Sequence, residues 1–141
     1  MTSVFSGIKE VLKNLSFFFI TMSITFLYWV LTGIQYWFSD YLITELKVKP
    51  STVFISYGVI SITGPVVGVL VGGNVISALG GYKSKKALYV TCALAFVCLS
   101  CAIPIAFIED YITVVVLLWC LLFSGGFILP SMTGIMLNTV D

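Results

Sequence analysis

Apolar residues fall in four long blocks, about residues 15–38, 52–76, 87–107 and 111–137, separated by short polar stretches. Each block is close to the roughly 20 residues needed to cross the hydrocarbon core of a bilayer. The pattern predicts an all-α, polytopic membrane protein with four transmembrane helices. Ahead of the first block, Val4, Phe5, Ile8, Val11, Leu12 and Leu15 recur at helical spacing, with Lys9, Glu10 and Lys13 elsewhere on the wheel. Residues 1–14 therefore read either as an amphipathic segment lying in the membrane interface or as a frayed terminus. Residues 15–141 read as the transmembrane domain.

The polar positions inside the blocks are patterned. Thr21, Thr25, Tyr28, Thr32, Gln35 and Ser39 step by four and three along the first block, which gathers them into one stripe on a helix. In lipid such a stripe has to face protein or water. It is either the lining of a solute path, with Thr25, Tyr28, Thr32 and Gln35 as candidates, or a set of hydroxyls bonded to neighbouring helices and to their own. Gly64, Gly68 and Gly72 step by four through the second block, and Tyr57 and Ser61 extend the same face. Small residues at that spacing allow two backbones to approach closely in a membrane. Gly126, Pro130 and Gly134 repeat the spacing in the fourth block. Pro65 and Pro130 each remove a backbone donor and are expected to bend their helices. Pro50 suits a helix start.

Composition agrees with this picture. The chain is 60% hydrophobic and 9% charged, with a mean hydropathy of +1.13. The net charge of +1 carries no signal for a nucleic-acid partner. The seven basic residues are all lysine and histidine is absent, which removes histidine catalysis and histidine metal ligation. Cys92, Cys98, Cys101 and Cys120 lie inside apolar blocks, where a disulfide framework is not expected. Cys98 and Cys101 form a CxxC that reads as small packing residues or as a redox or metal pair. With no nucleophile–base pair and no metal cluster in the pattern, an enzyme, a cofactor and a bound metal are not expected. Asp40 sits beside Trp37 and Tyr41 where the first block should meet water. It reads as an interfacial acid or as a group coupled to protons or cations. The first block differs from a secretory signal in its length and in lacking a cleavage site.

Loop charge orients the chain. With the amino terminus in the cytoplasm, Lys9, Lys13, Lys83, Lys85 and Lys86 lie inside, while Lys47 and Lys49 lie outside with Asp40 and Glu45. The positive-inside rule favours this arrangement, with both termini cytoplasmic.

The run from Gly73 through Asn74, Val75, Ile76, Ser77, Ala78, Leu79 and Gly80 to Gly81, Tyr82 and Lys83 resembles the signature loop of the major facilitator superfamily. That loop joins the second and third helices of each six-helix half. Gly73 and Gly80 match its glycines, and Lys83, Lys85 and Lys86 supply its bases. Ser77 stands in the place of the acid and Ala78 in the place of the arginine, so the charged lock of the family's cytoplasmic gate cannot form from these positions. Such erosion is typical of the carboxy-terminal copy, and the run Ile8 to Asn14 looks like the linker that precedes the seventh span. The resemblance thus implies helices seven to ten of a twelve-helix carrier, an incomplete half, with helices one to four as the alternative. The runs Thr32–Trp37 and Gly64–Gly68 look similar to spinster-like members, carriers of lipid-like or organic solutes.

Carriers of this type move two halves against each other around a midplane site, and four helices cannot supply both gates. The resemblance implies a fragment or subunit of a transporter moving a small organic or amphipathic solute by alternating access. Its partners are then the lipid bilayer and the missing helices or another subunit. The alternative is a non-transporting membrane protein that packs against a full-length carrier. A small four-helix exporter is a poorer fit, because it needs an acid within the first span and none precedes Asp40. Asn14-Leu15-Ser16 matches a glycosylation sequon. On the orientation above it faces the cytoplasm, so mass spectrometry of protein from a glycosylating host should find Asn14 unmodified; a glycan there would invert the topology.

Overall fold

The structure is a computed structural model that describes residues 13–138. Most of the amino-terminal segment of residues 1–14 therefore lies outside the described residues. Four long helices are present among the described residues: α1 (Leu15–Thr44), α2 (Pro50–Ala78), α3 (Lys85–Ile105) and α4 (Tyr111–Leu137). All four are long and apolar enough to cross a membrane, and no strand occurs among the described residues. The protein is an all-α, multi-pass membrane protein.

Local chemistry fixes the helix ends. The Asn14 side chain caps α1 by accepting from the Ser16 and Phe17 N–H groups at 3.1 and 3.3 Å. Pro50 opens α2 where a missing N–H costs nothing. Ser84 caps α3 by accepting from Lys86 N at 3.2 Å. Asp110 caps α4, its carboxylate accepting from the Thr113 N–H at 2.8 Å and the Thr113 hydroxyl at 2.5 Å. At the carboxyl end of α2 the Gly81 N–H closes on Ile76 O at 2.9 Å and the Gly80 N–H on Ser77 O at 3.2 Å. This Schellman turn needs a left-handed residue. Gly80 supplies it at φ +97°, and Gly81 follows at φ +78°.

Several boundaries differ from the hydropathy reading by two residues, and the end of α1 by six. α1 continues past residue 38 to Thr44, so Trp37, Asp40 and Tyr41 are helical. Hydropathy marks where lipid ends, whereas a helix ends only where its backbone bonds are interrupted. No glycine or proline interrupts 39–44, and Leu42 is fully buried against the other helices. α3 stops at Ile105 instead of 107, directly after Pro104. α2 and α4 both run unbroken through Pro65 and Pro130.

α4 is the central helix, packed by α2 on one side and α3 on another, with α1 making the smaller contact. Contacts rise together in residue number along α2 and α4, from Gly64 beside Leu122 to Gly72 beside Phe127, so these two run parallel. α1 runs against α4, with Leu31 beside Gly125 and Thr21 beside Met136. α1 also runs against α2, as the short 45–49 connection requires. The main core gathers Phe38 and Leu42 of α1, Val53 and Ile60 of α2, and Val114, Leu118, Leu121 and Leu122 of α4. A second cluster of Ile76, Ala87 and Phe127 lies at the opposite end. Among the described residues, Phe38 and Leu42 are the only buried ones of α1, so this helix is held at its carboxyl end. Its earlier turns expose Phe19, Phe26, Trp29 and Val30, a surface suited to lipid or further helices.

The α4 cap gives a pH dependence. Bonding to the Thr113 hydroxyl, and then to the Thr113 N–H, holds the Asp110 carboxyl below its ordinary range. A depressed folded pKa means the cap contributes above the unfolded value of about 3.9 and is lost as pH falls through the folded one. Thermal melts of detergent-solubilised protein should therefore show wild type losing stability on acidification below about pH 4, with the loss reduced in Asp110→Asn.

Candidate functional site

The stepped glycines lie along the α2–α4 crossing. A Cβ added at Gly64 would stand 3.1 Å from Leu122 Cβ, and one at Gly72 would stand 3.1 Å from the Phe127 ring. At Gly68 it would overlap the Phe123 carbonyl oxygen. From the opposite side, a Cβ at Gly126 would lie 2.6 Å from Pro65 O and 2.7 Å from Pro65 Cα. The backbones of α2 and α4 thus touch at Pro65 and Gly126, with no space for a side chain on either helix. Leu31 of α1 reaches the same region at Gly125, where an added Cβ would stand 3.4 Å from Leu31 Cδ2.

Beside this crossing lies a groove of about 200 Å³. Its walls are Tyr28, Leu31, Thr32 and Gln35 of α1, Pro65 of α2, and Leu122, Gly126 and Leu129 of α4. Three members of the polar stripe, Tyr28, Thr32 and Gln35, therefore share one groove over two helical turns. Thr25 is exposed but does not line it. The hydroxyls are not equivalent. Thr25 donates to Thr21 O at 2.9 Å and Thr32 to Tyr28 O at 2.8 Å, so their protons are committed to their own helix. The Tyr28 hydroxyl and the Gln35 amide are left as the donors available to a ligand. Among the described residues, no lysine lines the groove.

Two other crevices flank the bundle. One of about 290 Å³ lies between α1, α3 and α4, is almost wholly apolar, and includes Cys92 and Cys98. The other, about 520 Å³, lies between the 45–49 and 106–110 connections, with Glu45, Lys47 and Glu109 on its walls. It is the largest of the three, but it sits at the interfacial end and away from the polar stripe.

The residues of the glycine-and-lysine loop divide between helix and turn. Gly73 and Ser77 belong to the last turns of α2, and nothing approaches within 4 Å of a Cβ placed on Gly73. Gly80 and Gly81 form the turn. Lys83, Lys85 and Lys86 are exposed. Tyr82 lays its ring over Gly134, where an added Cβ would stand 2.5 Å from Tyr82 Cδ1. The loop is thereby fastened to the end of α4, and Pro130 lies half-buried one turn earlier. Sequence reading did not foresee the Trp119 indole donating to Thr63 Oγ1 at 3.1 Å or the 2.5 Å bond between the Ser56 and Tyr111 hydroxyls. Both join residues 55 or more apart in the chain, a pairing no local spacing encodes.

Comparison with known families decides the broader identity. Residues 1–110 match the model of the Organic Anion Transporter Polypeptide (OATP) family. The chain belongs to the OATP family. No match was found among curated proteins or among solved structures. The OATP match spans α1, α2, α3 and the loop between α2 and α3. It therefore includes Tyr28, Thr32, Gln35 and Pro65 of the groove, while the α4 wall lies beyond it. OATP members are transporters rather than enzymes, and an integral, multi-pass membrane protein is what four apolar helices of this length make.

The glycines separate by what stands next to them. Gly126→Ala places a methyl against backbone that cannot give way, and overpacking of this kind costs about 1–3 kcal/mol. Gly73→Ala meets open space and gains about 1 kcal/mol of helix propensity. Monodispersity and melting temperature in detergent should fall for Gly126→Ala and hold or rise for Gly73→Ala; equal behaviour of the two would refute the backbone contact.

Proposed function

We propose that this chain forms part of the solute path of an organic anion carrier that works by alternating access. The observation that carries the reading is the gathering of Tyr28, Thr32 and Gln35 around one groove at the Pro65–Gly126 crossing, in a chain of the OATP family. The groove offers neutral donors and an apolar floor. That combination suits an amphipathic organic anion, because a hydrogen bond to a charged acceptor contributes about 1.5–3 kcal/mol while the apolar part buries against Leu31, Leu122 and Leu129. Gly64, Gly68 and Gly72 give α2 a side-chain-free surface on which α4 can shift. Cytoplasmic termini place Lys13, Lys83, Lys85 and Lys86 on the inner face, against Lys47 and Lys49 outside.

On this reading the helices correspond to seven to ten of a twelve-helix major-facilitator carrier, and the remaining helices complete the second gate. The 79–84 connection is the cytoplasmic gate loop without its charged pair, held instead by Tyr82 on Gly134. The family match names organic anion transporters, so an organic anion is preferred over the lipid-like cargo of spinster-like members. A packing role for the stripe has one observation in its favour, since the Thr25 and Thr32 hydroxyls bond to their own helix. Gln35 separates the two readings, because it has no such bond to fall back on.

In vesicles containing the full-length protein that carries these helices, Gln35→Leu should lower organic anion uptake about 10-fold, the equivalent of one lost bond to a charged group. Surface expression and assembly should be unchanged. Uptake equal to wild type would assign the stripe to packing and the chain to a non-transporting role beside a carrier.

A further inference from the structure

Two polar atoms of α2 have no hydrogen-bond partner and present no surface that water can reach: Tyr57 Oη and Ser61 Oγ. Many helix hydroxyls elsewhere in the bundle bond back to the carbonyl four residues earlier. Ser56 donates to Thr52 O at 2.8 Å, Thr63 to Val59 O at 2.8 Å and Thr91 to Ala87 O at 2.9 Å. Ser61 makes no such bond. Next to it is a further deficit, because Pro65 has no N–H to give to the Ser61 carbonyl. Leaving buried polar groups unpaired costs about 1–3 kcal/mol each, and in a membrane no bulk water relieves the cost.

Tyr57 faces the seam between α1 and α2, and Ser61 follows it one turn on, toward Pro65 at the α4 crossing. Tyr57, Ser61 and Pro65 are four residues apart and share a stripe of α2. The Tyr57 ring stacks on Phe38 of α1 at 6.3 Å between centroids and 25° between planes, and Pro65 stands in the groove with Gln35. Because α1 and α2 are antiparallel, Ser61 falls between these two levels, at the height of Gln35. As the hydroxyls are sealed within the four helices, no group from another subunit can reach them while the seam is shut. α2 also packs far less on α1 than on α4, and α1 is buried only at Phe38 and Leu42.

We infer that Tyr57 and Ser61 are solute-binding, specificity-determining residues of the α1–α2 seam, sealed in the conformation seen and uncovered when α1 moves away from α2. Opened, the seam presents the Tyr57 and Ser61 hydroxyls opposite the Gln35 amide, a set of uncharged donors for the carboxylate, sulfonate or sulfate oxygens of an organic anion. The unpaired hydroxyls raise the energy of the shut state, and pairing with the solute removes that cost on opening. The inference rests on the proposed solute path and adds a second wall to it.

The test is thiol accessibility in the full-length protein with Cys92, Cys98, Cys101 and Cys120 changed to serine. Ser61→Cys should react with a small membrane-impermeant methanethiosulfonate about 10-fold or more faster than Ile60→Cys, as an open state populated at a few per cent allows. Ile60 is the adjacent buried residue in the main core, and it should stay protected. A transported organic anion should slow the Ser61→Cys reaction. Tyr57→Phe and Ser61→Ala should each raise the uptake KM while raising the melting temperature, a pairing that a purely structural hydroxyl would not give. Ser61→Cys reacting no faster than Ile60→Cys overturns the inference. This outcome is distinct from failure of the solute path itself, which shows as wild-type uptake in Gln35→Leu.

Discussion

Two backbones touch where Pro65 of α2 meets Gly126 of α4, and the rest of the bundle is arranged around that meeting. Inside a bilayer, burying apolar side chains gives helices no preference for each other over lipid, so association depends on close packing and on polar bonds between them. Glycine at 64, 68 and 72 removes the side chains that would hold α2 away from α4. Gly126 does the same from the other partner. The resulting approach leaves no room for solute between α2 and α4 along the crossing and displaces open space to its flank, where α1 passes at a greater distance. The groove lined by Tyr28, Thr32 and Gln35 is therefore a product of unequal spacing: one pair of helices too close for side chains, and a third helix kept away by its own.

The same inequality separates the hydroxyls. Most serine and threonine side chains in the bundle bond to the preceding turn, which satisfies them at any position and makes them indifferent to what lies outside. Tyr28 and Gln35 cannot do this within α1, and Tyr57 and Ser61 do not do it within α2. These four polar side chains border the two sides of the α1 contact. Their protons remain uncommitted in a structure that commits most serine and threonine protons inside its helices locally.

Sequence pattern carried the element types well, because hydropathy and the four-residue glycine spacing are local quantities. Four apolar blocks became four helices in the order expected, and the family resemblance narrowed to the OATP family once residues 1–110 were matched. Less was legible where distant residues decide. The extension of α1 to Thr44 depends on Leu42 packing into the core, which no polarity scale registers. The loss of Thr25 from the groove depends on how α1 is turned toward α4. The polar stripe was visible as a stripe, but which members direct their protons to their own helix was not. Tyr57 and Ser61 looked like a continuation of the small face; only the burial of their oxygens without partners distinguishes them from packing residues.

The fastening of Tyr82 over Gly134 has a mechanical consequence. It ties the α2–α3 turn to the far end of α4, so α2 and α4 meet there as well as along their crossing. α1 has a buried attachment only near Phe38 and Leu42. From there to Leu15 the helix extends about 35 Å at 1.5 Å per residue. A tilt of about 5° at the attachment displaces the far end by roughly 3 Å over that length. The long arm of α1 borders both the groove and the apolar crevice, so a tilt there would change the width of both.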